Sequence, residues 1–154
     1  MAGKTCVKSL ENVKVGLGAR EIENGTDLYA YLFDTHPEFR KYFKGHENFT
    51  GADVKKSDHF KKQGQTLLLA CHCVASLHED PATFKAYCRE IIDRHVKANV
   101  HLDPSLWSAF WPIFVDYLAR KTSIDENAKK AWLDVGKAFA EECLSHLKTL
   151  GLPH

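Results

Sequence analysis

The chain has 154 residues, of which 44% are hydrophobic and 27% charged, and its formal net charge is +1 when histidine is neutral. These values are typical of one globular domain, spanning residues 1–154, that buries a core without disulfides or structural metals. The near-neutral charge and the short apolar runs argue against a nucleic-acid partner and against a membrane-spanning segment.

The amino terminus and the cysteines predict a cellular compartment. The sequence begins Met-Ala-Gly-Lys-Thr-Cys, without an apolar stretch of signal-peptide length. An odd number of cysteines, five, favours free thiols in a reducing environment. We therefore expect a cytoplasmic protein, with secretion into a body fluid as the alternative if a native signal peptide has been trimmed.

Apolar residues at helical spacing, separated by turn and capping residues, divide the chain into helices. No short alternation of apolar and polar residues predicts a strand. A further single turn, capped by Thr50, is expected within the polar stretch 44–57. The other predicted helices are, in chain order, residues 4–15, 19–34, 37–43, 58–77, 81–98, a segment beginning at Pro104 and a segment opened by Ser123. The prediction is an all-α fold with seven to eight helices.

Helix starts are marked by capping residues at three places. Asp80-Pro81 and Asp103-Pro104 each combine an N-cap acceptor with a proline at the first helical position. Ser123 and Glu126 have the spacing of a capping box, in which each side chain bonds the other residue's backbone N–H. We therefore expect the last helix to begin directly after Ser123.

Two long predicted helices, 58–77 and 81–98, could enclose a flat hydrophobic cofactor. Gln63 lies near the start of the first helix, and His95 lies near the end of the second. Tyr29 and Phe43 come from earlier segments. A glutamine, a histidine, a tyrosine and a phenylalanine could therefore converge on one buried site.

Nearly the whole chain also carries the residue pattern of a known family. The matching stretches are Asp27-Leu28-Tyr29, Pro37 to Lys44, Lys62 to Gln65, Leu68 to His72, Asp93-Arg94-His95 and Ala131-Trp132. Through them the sequence resembles the globins, and most closely the haemoglobins and myoglobins of nematodes. The resemblance implies a globin fold around a haem pocket, with haem b (iron protoporphyrin IX) as the cofactor.

The resemblance also implies that His95 is the axial ligand of the haem iron. A neutral imidazole is a good iron ligand, and the opposite face of the haem is then left open for a gas. The second ring nitrogen of His95 should donate a hydrogen bond to a nearby backbone carbonyl, which fixes the orientation of the ring.

Tyr29 and Gln63 are the expected ligand-binding residues on that open side. Gln63 occupies the position at which many globins carry a histidine, and Tyr29 a position at which many carry leucine. An amide donates hydrogen bonds but is a poor iron ligand, which favours an open coordination position. Tyr29 and Gln63 could donate together to dioxygen. The expected function is therefore reversible dioxygen binding of high affinity, for storage or transport.

Other apolar residues are expected to line the pocket. In the family pattern Phe43 stacks on the haem, and Leu67, one helical turn after Gln63, walls the ligand side. Basic residues that could meet the haem propionates are Lys44, Lys97 and His101, and the sequence does not choose among them. Further expected haem contacts are Ile92, Val100, Phe110 and Val135.

Two further functional interpretations stay open at the level of sequence: haem redox catalysis, and a helical interaction or sensor module without haem. A globin can act as a nitric oxide dioxygenase or in other haem redox chemistry if electrons are supplied, but no GxGxxG motif indicates a nucleotide site of its own. Dioxygen and other diatomic gases are the expected ligands. A homodimer through His72 and the exposed faces of the two long helices is also an open alternative.

Overall fold

A computed structural model describes residues 1–154, and all of its regular secondary structure is helical. A 3-10 helix spans Pro37–Tyr42. The α-helices are α1 (Ala2–Ser9), α2 (Ala19–Thr35), α3 (Gly51–Lys55), α4 (Asp58–Leu77), α5 (Pro81–Lys97), α6 (Leu106–Lys121) and α7 (Glu126–Thr149). The predicted all-α class with seven to eight helices is confirmed. No helix combines the length and the apolar character that crossing a bilayer requires.

The helices pack through pairwise contacts between neighbours. Helix α2 lies across α4, while α1 packs against both α4 and α7. Helix α7 also supports α5 and α6, and α4 meets α5 directly. Helices α4 and α5 were expected to enclose a cofactor. Helices α1 and α2 pack against α4, and α7 packs against α5.

Two hydrophobic clusters form the core. The larger cluster joins α1 and the helices α4 to α7, and Trp132, Phe114 and Tyr117 are among its most deeply buried side chains. The smaller cluster contains several aromatic side chains and joins α2, α3, the start of α4 and one residue of α6. Leu67 packs against both clusters, so it marks the boundary between them.

Several helix starts follow the capping residues in the sequence. Thr50 caps α3 through a capping box with Asp53. The Asp80 carboxylate accepts the backbone N–H of Thr83, and Pro81 occupies the first position of α5. Each cap satisfies a backbone donor that lacks a partner inside the helix.

The prediction that the first helix reaches residue 15 is wrong. Helix α1 ends at Ser9, and the chain continues through tight turns in which Val13 donates to the carbonyl of Leu10. The Ser9 hydroxyl bonds the carbonyl of Cys6 at 2.6 Å and accepts the indole N–H of Trp132 at 2.8 Å. This bond to α7 anchors the helix end, and the following turns bury both Leu10 and Val13.

The predicted starts of the last two helices are shifted. Asp103 accepts the backbone N–H of Ser105 at 3.0 Å, forming a turn ahead of α6, which begins only at Leu106. The N-cap of α7 is Asp125, whose carboxylate accepts the N–H of Ala128 at 2.7 Å, and not Ser123. Both errors have one cause, because each region contains two capping residues and local sequence does not decide between them.

The crossing of α2 and α4 requires glycine on both helices. A β-carbon added to Gly64 would lie 2.4 Å from backbone atoms of Gly25, and one added to Gly25 would lie 2.5 Å from Gly64. These neighbours are backbone atoms and cannot rotate away. We therefore expect Gly64→Ala to lower the free energy of unfolding by about 1–3 kcal/mol, measured by urea denaturation.

Ser76→Ala on the exposed face of α4 is the matched control and should change stability by less than about 0.5 kcal/mol. A Gly64→Ala variant as stable as this control would contradict the close helix crossing.

Candidate functional site

His95 lies in the last turn of α5, and one of its ring nitrogens is already engaged. Its Nδ1 is 2.8 Å from the carbonyl oxygen of Ile91, one turn earlier in the same helix. A carbonyl only accepts, so Nδ1 carries the proton, and in the neutral imidazole Nε2 then keeps its lone pair. The imidazole is therefore held in the tautomer that can bind a metal through Nε2.

The surroundings of His95 are apolar. The edge of Trp107 packs against the imidazole, with ring centroids 5.1 Å apart and planes at 78°. A cavity of about 240 Å³ opens beside the two rings. Its other lining residues are Ile92, Val96, Val100, His101, Leu102, Leu147, Leu152 and Pro153.

Val100 and Ile92 are therefore both placed beside His95. Ile92 is fully buried, and Val100 is half-buried. The N–H of Val100 donates to the carbonyl oxygen of His95 at 2.9 Å, which fixes the turn that follows α5. Asn99 allows this turn by adopting a left-handed conformation with φ of 57°.

Tyr29 lies in an aromatic group formed by α2, α4 and the segment after the 3-10 helix. Its ring centroid is 5.4 Å from that of Phe43, 5.3 Å from Phe60 and 6.3 Å from Phe33. The tyrosine is 5% exposed. Burial raises the pKa of the Tyr29 phenol well above its ordinary value, so the hydroxyl stays protonated and can donate.

Gln63 supplies the polar neighbour of Tyr29. Hydrogen bonding by the half-buried Gln63 side chain lowers the pKa of the phenol and so opposes the effect of burial. Leu67, one turn further along α4, is half-buried against the same aromatic cluster. Tyr29, Phe43, Gln63 and Leu67 thus gather in one region, and the larger core cluster connects Leu67 to Ile92.

The basic candidates from the sequence all lie at the surface. Lys44, Lys97 and His101 are exposed, and the Nε2 of His101 lies 2.8 Å from Oδ1 of Asn99. Phe110 is half-buried and Val135 fully buried, and both belong to the larger core.

Sequence reasoning missed the distant part of the His95 environment. Leu147, Leu152 and Pro153 line its cavity although they are more than fifty residues away in sequence. Trp107, a member of the larger core cluster, is also a neighbour of His95 that the sequence did not indicate. Gly151 was the one feature of the sequence that could have indicated this contact, since a glycine after a helix commonly turns the chain back.

A larger cavity does not belong to this site. It measures about 330 Å³ and lies between α6 and α7, lined by Trp111, Gly136 and Lys137 among others. None of the predicted site residues contributes to it. The candidate site is therefore the region around His95 and Tyr29, where the predicted site residues lie.

Comparisons with known proteins identify the family to which the chain belongs. The model of the family described as Globin matches residues 26–143. The chain therefore belongs to the globin family, and haem and oxygen binding are general properties of that family. The globin fold predicted from the sequence is confirmed.

Several relatives of high identity are nematode proteins. The chain is 64% identical to a protein named myoglobin from Ascaris suum, over 97% of both chains. It is 43% identical to an extracellular globin of Pseudoterranova decipiens, covering 92% of this chain and 42% of that one. A solved structure of a Caenorhabditis elegans globin-like protein superposes with a TM-score of 0.96 at 46% identity, covering 99% of this chain and 96% of that chain.

The five cysteines are free thiols that differ in accessibility. Cys73 is half-buried, and the other four are buried. Burial raises the pKa of the Cys71 thiol, and it raises the pKa of Cys6 to about 12. Because the thiolate is the reactive form, a raised pKa lowers reactivity at every pH below it.

We therefore expect an aromatic disulfide reagent at about pH 8 to modify one thiol per folded chain quickly, measured by the released thiolate chromophore. Cys73→Ser should remove the fast phase, and Cys71→Ser should leave it unchanged. Two or more fast thiols in the folded protein would contradict the described burial.

Proposed function

We propose that residues 1–154 form a single globin domain that binds haem b through His95 and binds dioxygen reversibly with high affinity. The observation that carries this proposal is the pairing of His95 Nδ1 with the Ile91 carbonyl, which leaves Nε2 available as a ligand. The role of the protein would be oxygen storage or transport. The comparisons do not favour the nitric oxide dioxygenase alternative, and the cytoplasmic location and the homodimer stay predictions.

The residues present fit a haem. The Nε2 lone pair of His95 suits iron, and apolar side chains surround the imidazole. Residues that would contact the macrocycle are Phe43, Leu67, Ile92 and Val100. When bound, the haem supplies an iron coordination position at which diatomic gases bind reversibly.

Tyr29 and Gln63 would set the affinity for dioxygen. The phenol is neutral and buried among aromatic rings, so its hydroxyl is available to a polar ligand in the pocket. The Gln63 amide provides a second donor. Each hydrogen bond contributes about 1 kcal/mol net, and every 1.4 kcal/mol slows dissociation about tenfold if association is unchanged. Carbon monoxide is less polar as a ligand and should gain less.

Replacing the proposed iron ligand tests the haem assignment. We expect His95→Gly to bind haem weakly and to regain tight binding when free imidazole is added, because the small molecule occupies the vacated position. Haem titration followed by visible absorption measures both effects.

The matched control is His36→Gly, which removes an imidazole next to the 3-10 helix and away from the His95 cavity. This variant should bind haem like the wild-type chain and should not respond to imidazole. Equal haem binding by wild type and His95→Gly, with no imidazole effect, would overturn the assignment of His95.

Removing the phenol hydroxyl tests the proposed affinity mechanism. We expect Tyr29→Phe to release dioxygen about fivefold faster, because one hydrogen bond is lost while the aromatic packing with Phe43 is kept. Gln63→Leu should act in the same direction. Stopped-flow displacement of dioxygen by carbon monoxide measures the rate.

The rate of carbon monoxide release serves as the internal control, and in both variants it should change less than the dioxygen rate. Unchanged dioxygen release in Tyr29→Phe, or an equal change for both gases, would contradict hydrogen bonding by this residue.

A further inference from the structure

The segment after α7 turns back onto the cavity beside His95. Leu152 and Pro153 line that cavity together with His95 and Trp107. We propose that Leu152 and Pro153 are positioning residues that close this side of the pocket, keep water from the His95 imidazole and thereby slow the loss of haem. This inference rests on the proposed haem ligation by His95.

A specific backbone turn brings Leu152 to this place. Helix α7 ends at Thr149, and Gly151 adopts a φ of 73°. The N–H of Gly151 donates to the carbonyl of Lys148, and the N–H of Leu152 donates to that of Leu147, each at 3.0 Å. This hydrogen-bond pair defines a Schellman motif, which reverses the chain and brings the residue after the glycine back against the last helical turns.

Helix α5 ends in the same motif on the other side of the cavity. The N–H of Asn99 donates to the carbonyl of Val96 at 3.0 Å, and that of Val100 donates to the carbonyl of His95 at 2.9 Å. Val100 and Leu152 therefore occupy equivalent positions in the Schellman motifs that end α5 and α7. Both side chains line the cavity beside His95.

Two polar pairs hold α5 and α7 side by side towards their C-terminal ends. Arg89 bonds Glu142 at 2.8 Å, and His146 lies 2.7 Å from Asp93. Leu152 is half-buried against the larger core cluster, six residues beyond His146. The segment thus forms the last contact between α7 and the region of His95.

The chemistry of His95 explains why this cover matters. The hydrogen bond from Nδ1 to the Ile91 carbonyl orients the imidazole, and water could compete for that carbonyl. An apolar cover keeps the local dielectric low and strengthens the bond. Leu152 would therefore act on the haem through His95, without being an iron ligand.

The experiment uses the full-length chain loaded with haem and the substitution Leu152→Ser. We expect ferric haem to transfer about tenfold faster to an excess of an apoprotein acceptor, because part of a leucine burial is lost. We also expect a shift of the iron–histidine stretching band in the ferrous resonance Raman spectrum. Leu152→Met should restore both properties.

Leu150→Ser is the matched control, because Leu150 belongs to the same segment but is 43% exposed and does not line the cavity. Its haem transfer should match the wild type. A rate increase equal to that of Leu152→Ser would indicate general fraying of the helix end and would overturn the proposal.

A second readout needs no haem. In the apoprotein, Trp107 lies in the cavity while Trp111 and Trp132 are buried elsewhere in the core. Iodide should therefore quench tryptophan fluorescence more strongly in Leu152→Ser than in Leu150→Ser, and equal quenching would contradict the cover.

Haem uptake by the wild-type chain distinguishes a failure of the proposed function from a failure of the Leu152 inference. A wild-type chain that takes up no haem would overturn the proposed function and this inference with it. A wild-type chain that binds haem, paired with a Leu152→Ser variant that loses it no faster, would overturn this inference alone.

Discussion

The hydrogen bond between His95 Nδ1 and the Ile91 carbonyl is the constraint on which the site depends. It joins the two residues within one helix, so the orientation of the imidazole is set by α5 itself. It also selects the tautomer with a free Nε2, the form that binds iron. Trp107 limits the rotation of the ring from the side. The surrounding fold then has to hold α5 in place, which α7 does through apolar packing and two polar pairs.

The other half of the site depends on burying the Tyr29 phenol in its neutral, protonated form. Aromatic packing with Phe43 and Phe60 places Tyr29 where ionisation is unfavourable, and Gln63 supplies the polar contact. Such an arrangement combines an apolar wall with a directed donor. The close crossing of α2 and α4, made feasible by two facing glycines, brings Tyr29 and Gln63 together. The proposed affinity for dioxygen would therefore depend on helix packing as well as on residue identity.

Local signals in the sequence predicted the central helices well. The bounds of α4 agree at both ends, and Asp80 starts α5 as expected because its cap involves only neighbouring residues. The first helix was overestimated because its end is fixed by the bond from Trp132 to Ser9, more than a hundred residues apart. The contact of Leu152 with the His95 cavity was missed for the same reason. Periodicity and capping residues describe one helix at a time, whereas these contacts depend on how helix ends meet in the fold.

The visible absorption spectrum of the purified chain titrated with haem, first ferric and then reduced without oxygen, tests the central claim most directly. The account predicts uptake of one haem per chain and a five-coordinate ferrous spectrum, which changes reversibly when air is admitted. That result would agree with a single histidine ligand and with a Gln63 amide that leaves the opposite position open. A chain that takes up no haem, or a ferrous form that is already six-coordinate before any gas is added, would contradict it.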